Sequence, residues 1–139
     1  MKNKTKQTIL AITLLATTTC SLPYAFATTL HRAQNCELGE TCKVPGSDGG
    51  QTTYSVTPKS GFVYQCDVKS DGGSLKFSIT SGEDFNITQG SGLYNANPAS
   101  AVEIKGRFAN PENTNEKGLI KITKLPLSSD GTVKCYPKK

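Results

Sequence analysis

Tryptophan is absent from this sequence, histidine and methionine occur once each, and aromatic residues make up 7% of its 139 positions. The single histidine, His31, stands in a polar stretch near the start of the expected mature chain. It is a poor base for a serine or cysteine nucleophile, so hydrolase chemistry of that kind is not expected. Without tryptophan, a recognition motif or an aromatic ladder among the basic residues, a nucleic-acid partner is not expected either. No apolar run approaches the roughly 18 residues that cross a bilayer, and no transmembrane segment is expected in the mature chain. No segment shows a convincing helical period.

What is present starts with a leader. Lys2, Lys4 and Lys6 precede the apolar run Ile9 to Ala16, and Pro23 and Ala25-Phe26-Ala27 follow it. A charged region, a short apolar region and small residues three and one positions before a cut predict a bacterial-style secretory signal peptide over residues 1–27, cleaved after Ala27. The mature protein is then secreted or periplasmic. Cys20 goes with the leader. Cys36, Cys42, Cys66 and Cys135 remain, an even number in an oxidising compartment, and two disulfides are expected. The spacing of His31, Cys36 and Cys42 matches no standard metal site, so neither metal nor cofactor is expected.

Residues 28–52 read as an irregular, polar N-terminal segment carrying the Cys36/Cys42 loop, and residues 53–139 as a β-sandwich that forms one domain with it. Runs at 54–57, 62–68, 74–80, 84–88, 101–108, 118–123 and 132–136 alternate or are rich in β-branched and aromatic residues, with Gly, Asn, Asp, Pro and Ser clusters between them. The expected fold is all-β: a single small antiparallel sandwich of immunoglobulin-like or other Greek-key type, stabilised by two disulfides. Alternation assigns Phe62, Tyr64, Cys66, Val68, Leu75, Phe77, Ile79, Phe85, Ile87, Val102, Ile104, Phe108, Ile120, Ile122, Val133 and Cys135 to the core. Four cysteines allow three pairings. With Cys66 and Cys135 both facing inward, Cys66–Cys135 joining distant strands across the core, alongside Cys36–Cys42, is the favoured one.

Outside the leader the chain has 13 basic and 11 acidic residues, unevenly spread, with residues 105–139 carrying eight basic against three acidic. Lys105, Arg107, Lys121 and Lys134 alternate outward, and if their strands share a sheet they form one basic face. Tyr94 and Asn95, in the segment Gly90 to Pro98, make the most binding-like loop, an aromatic among amides. Glu83-Asp84 suggests paired carboxylates, but strand neighbours point to opposite faces and cannot flank one substrate without a bulge, and the pair is read as solvating a turn. The expectation is a binding protein, not an enzyme. Its partner would be an anionic ligand or target-cell surface component: a glycan, a phospholipid headgroup or an acidic protein. A structural or adhesion module is the other class left open.

Tyr64-Gln65-Cys66-Asp67, then Ser91-Gly92-Leu93-Tyr94, then Lys105-Gly106 and a cysteine near the C-terminus resembles the order of signatures in periplasmic inhibitors of c-type lysozyme. The resemblance implies a small exported β-barrel with a disulfide between the two outer cysteines, and Ser91 and Lys105 entering the lysozyme cleft. The serine motif here is one residue shorter than the family's, and Glu103-Ile104 stands where the family has an aromatic pair.

Overall fold

The structure, a computed structural model, describes residues 33–44 and 50–139. The predicted leader, its cleavage after Ala27, His31 and the 46–49 turn lie outside the described residues. Ten strands follow one another: β1 (Ala33–Cys36), β2 (Thr41–Val44), β3 (Gln51–Val56), β4 (Val63–Ser70), β5 (Leu75–Glu83), β6 (Phe85–Gln89), β7 (Gly92–Ala96), β8 (Ala99–Phe108), β9 (Gly118–Lys124) and β10 (Gly131–Pro137). They form two five-stranded sheets, ordered β1-β3-β9-β5-β7 and β2-β10-β4-β8-β6. Every strand expected from the sequence is present. β1, β2 and β7 are additional, and the segment read as irregular supplies an edge strand to each sheet.

Period-two alternation drives the packing. Tyr64, Cys66 and Val68 on β4, Leu75, Phe77 and Ile79 on β5, and Ile120 and Ile122 on β9 are completely buried. With the inward residues of the other strands they make one core shared by both sheets. Phe62 departs from the expectation: it precedes β4, remains 45% exposed and meets Phe108 edge-on at 5.9 Å.

Topology departs further. Consecutive strands always fall in opposite sheets, so each connection crosses the sandwich and no two successive strands form a hairpin. The strand order therefore does not reproduce an immunoglobulin-like arrangement, in which the pairs A–B, D–E and F–G each share a sheet. One pairing is also parallel, β1 against β3. The most abrupt crossing is at Glu83, whose φ of 55° takes the chain from β5 into β6 with Asp84 alone between them. Backbone bonds from Asp84 N–H to the Lys117 carbonyl (3.1 Å) and from Ala109 N–H to the Asp84 carbonyl (3.0 Å) stitch that corner.

Both disulfides form, Cys36–Cys42 and Cys66–Cys135. The second does not bridge the two sheets as expected. Cys66 and Cys135 are register partners on adjacent strands β4 and β10, with Cα atoms 4.0 Å apart, so the bond reinforces one sheet from its inner side.

The sheets are tied together instead by Tyr54. It points inward from β3, and its Oη lies 2.8 Å from the carbonyl oxygens of both Glu40 and Val133. Burial pushes its pKa up to about 12, and burial also raises that of Tyr64. A raised phenol pKa means that the folded state favours the neutral form. This contribution is complete below the unfolded value near 10 and is lost as pH rises toward 12. Denaturation midpoints are therefore expected to hold up to about pH 10 and to fall between about pH 10 and 12. Tyr54→Phe should flatten that fall and cost about 1–2 kcal/mol at neutral pH. Urea titrations across the alkaline range test both; a slope unaffected by the substitution would refute the assignment.

Candidate functional site

The outer face of the β2-β10-β4-β8-β6 sheet carries the densest grouping of cations. Val133 and Cys135 face the core, so Thr132, Lys134 and Tyr136 face water. Register places Thr132 between Lys43 on β2 and Lys69 on β4, and Lys134 between Thr41 and Asp67. From strand spacing and rise, the Cα atoms of Lys43, Lys69 and Lys134 form a triangle with sides of about 8–10 Å, with Thr132 midway along the side between Lys43 and Lys69. All three lysines are exposed. Among the described residues none of them is in a salt bridge.

The acids on this face are occupied. Asp67 accepts from Gln65 Nε2 (2.8 Å) on one oxygen and from Tyr136 Oη (3.0 Å) on the other. Lys134 Nζ stands 5.9 Å over the Tyr136 ring. Donation to Asp67, helped by partial burial and the carboxylate charge, raises the Tyr136 pKa. Glu103 pairs with Lys138 at 3.1 Å, and that bond, then the Lys138 and Lys105 charges, holds it below the ordinary carboxylate range.

The residues proposed from sequence do not assemble into one patch. Lys105 and Lys134 share this face but lie about 16 Å apart, two strands across and four residues along. Arg107 is further along β8, opposite Asn86, and borders a cleft of about 310 Å³ together with Glu83 and Asp84. Lys121 is on the other sheet: β8 and β9 are not neighbours, and its side chain lies over Gly82. Asn95 also belongs to that other sheet, next to Lys76 and bonded to Ser74 (2.5 Å). Tyr94 is half-buried in edge strand β7, stacked on Phe77 at 5.7 Å, and donates to the Gly90 carbonyl at 2.8 Å. It anchors its strand, so the aromatic expected in a loop belongs to an edge strand. The cause is common to all of these: alternation reports which face of a strand is wet, not which sheet the strand joins. Lys43 and Lys69 were missed for the same reason, since only register brings them to Thr132.

Glu83 and Asp84 stand at the turn between β5 and β6, where the sequence places them. They line the same small cleft because the left-handed backbone at Glu83 breaks the strand geometry that would hold them apart. A larger cleft of about 710 Å³ is also lined by Glu83, together with Glu37, Leu38, Ser55, Lys117 and Leu119 among others. Cys36, Glu40 and Cys42 bring possible ligand atoms within 4.8 Å of one another, but the two sulfurs are bonded to each other and offer no thiolate. Ser91 lies in the exposed turn after β6, and Gln89, two residues before it, pairs with Lys105. Two open five-stranded sheets replace the closed barrel that the lysozyme-inhibitor resemblance implied. No helix among the described residues is long and apolar enough to cross a membrane. Compared with protein families, curated proteins and solved structures, the chain matches none of them.

Proposed function

We propose that this is an exported, non-catalytic binding protein that docks an anionic partner through the Lys43–Lys69–Lys134 face. One observation carries the reading: register brings the exposed Lys43 and Lys69 to either side of Thr132 and the exposed Lys134 two residues further along the same strand, and among the described residues none of the three is in a salt bridge. Three lysines against the single Asp67 carboxylate leave a net positive surface that attracts polyanions at long range. The two disulfides suit a compartment outside the reducing cytoplasm.

Dextran sulfate is a suitable probe because its charge is dense and its sequence irrelevant. Its affinity should fall steeply as sodium chloride rises from low to physiological concentration. Replacing Lys43, Lys69 and Lys134 together by glutamine should weaken binding at low salt by about tenfold or more. The same triple change at Lys59, Lys105 and Lys121 removes equal charge from scattered positions and should cost much less. Equal losses in the two triples would reduce the effect to net charge and overturn the site.

A further inference from the structure

The connection between β9 and β10 contains the most exposed large apolar side chain among the described residues. Leu127 is 99% exposed, and Pro126 beside it is exposed too. Leu127 also has a φ of 60°. It follows proline in a turn, at the position where a left-handed backbone favours glycine or asparagine and where a bulky residue is strained. The turn itself is firmly held. Leu125 N–H donates to the Lys76 carbonyl (2.9 Å), Ser129 N–H to the Ser74 carbonyl (2.9 Å), and Ser128 Oγ to the Leu125 carbonyl (2.8 Å). Leu127 therefore gains no burial from the fold and sits in backbone geometry that suits other residues better. Whatever it contributes, it contributes to something outside the fold.

Its surroundings narrow what that is. Asp130 is paired with Lys124 at 3.0 Å, and its carbonyl accepts from Asp71 N–H, so the turn is joined to the end of β4. The same end of the sandwich presents Lys43 and Lys69 from one sheet and Lys76 from the other, with Asp71 as the exposed acid beside them. A rigid apolar tip set next to a group of lysines matches the two layers of an anionic lipid surface: charged headgroups outside, hydrocarbon a few ångströms below.

We infer that the anionic partner is a lipid surface, with Leu127 inserting at the headgroup boundary while Lys43, Lys69 and Lys76 engage the headgroups. This rests on the anion-docking reading above and names the source of the charge.

The test uses protein purified with its native N-terminus and vesicles of phosphatidylcholine alone or with phosphatidylglycerol. Binding should require phosphatidylglycerol. Leu127→Asn should weaken it by about tenfold, the order expected for one leucine withdrawn from an apolar phase. The same variant should bind dextran sulfate unchanged and unfold at the same or a higher temperature, because asparagine accepts the left-handed backbone. The chain has no tryptophan, so Leu127→Trp introduces a single indole that can be excited apart from the tyrosines, and its emission should shift to the blue on mixed vesicles. Dextran sulfate binding without vesicle binding would overturn the lipid assignment and leave the anion-docking reading standing; loss of both would overturn both. Leu127→Asn that binds vesicles normally, or that unfolds at a lower temperature, would make the leucine an ordinary turn residue.

Discussion

Replacing Cys66 and Cys135 together by alanine is expected to lower stability by about 4 kcal/mol, the chain-entropy value for a bond that closes 69 residues. Converted for a domain of this size, the melting temperature should drop by roughly 15 °C. The expectation rests on position as well as loop length. β10 is the last strand, and it pairs with β4 on one side and β2 on the other. The disulfide sits fully buried in the middle of the β4 pairing and removes the unfolded states in which the C-terminal strand has drifted away. Cys36–Cys42 closes six residues and should contribute about 2 kcal/mol by the same relation. Urea denaturation of the two double variants gives the comparison directly. Equal losses would mean that native-state packing, and not loop closure, sets the effect.

Phe85→Ala should cost about as much, about 4 kcal/mol, the middle of the range for a buried aromatic. Phe85 is 2% exposed just past the Glu83 corner, 4.9 Å by ring centroids from Phe108 and 5.8 Å from Tyr64, which it meets edge-on. Two glycines make room for it. A Cβ on Gly106 would collide with the Phe85 ring, and one on Gly118 with its Cβ and backbone. Those flanks are main chain, with no side chains able to swing into the space, so the cavity left by alanine would persist. The ring contact gives a reciprocal expectation. Gly106→Ala should destabilise the native protein by about 1–3 kcal/mol through overpacking, yet cost little once Phe85 is alanine. A double-mutant cycle by chemical denaturation reads this coupling. Additive losses would show that ring and glycine do not share the space.

The clearest sequence signals concerned faces. Tyr64, Cys66 and Val68, or Leu75, Phe77 and Ile79, are buried because side chains on a strand alternate with period two, and a run of a few residues reveals that period. Leu127 was invisible by contrast. Its exposure comes from a turn whose left-handed residue is leucine, and turn chemistry would have called for glycine or asparagine there. β7 escaped notice because Gly92 and Asn95 read as loop residues, and β1 and β2 because four residues are too few to show a pattern.

The amino-acid sequence by itself determined the all-β class and the inward and outward side of nearly every long strand, both of which follow from local alternation, and it favoured one of three cysteine pairings, the one the structure forms. Only the tertiary structure decided that successive strands change sheet, that Cys66–Cys135 reinforces one sheet, that Lys121 parts from Lys134, and that Lys43 and Lys69 meet beside Thr132. Sheet membership and register depend on how each connection crosses the core and on which distant strand completes the hydrogen-bond ladder. Those are long-range choices, and a period of two residues says nothing about them.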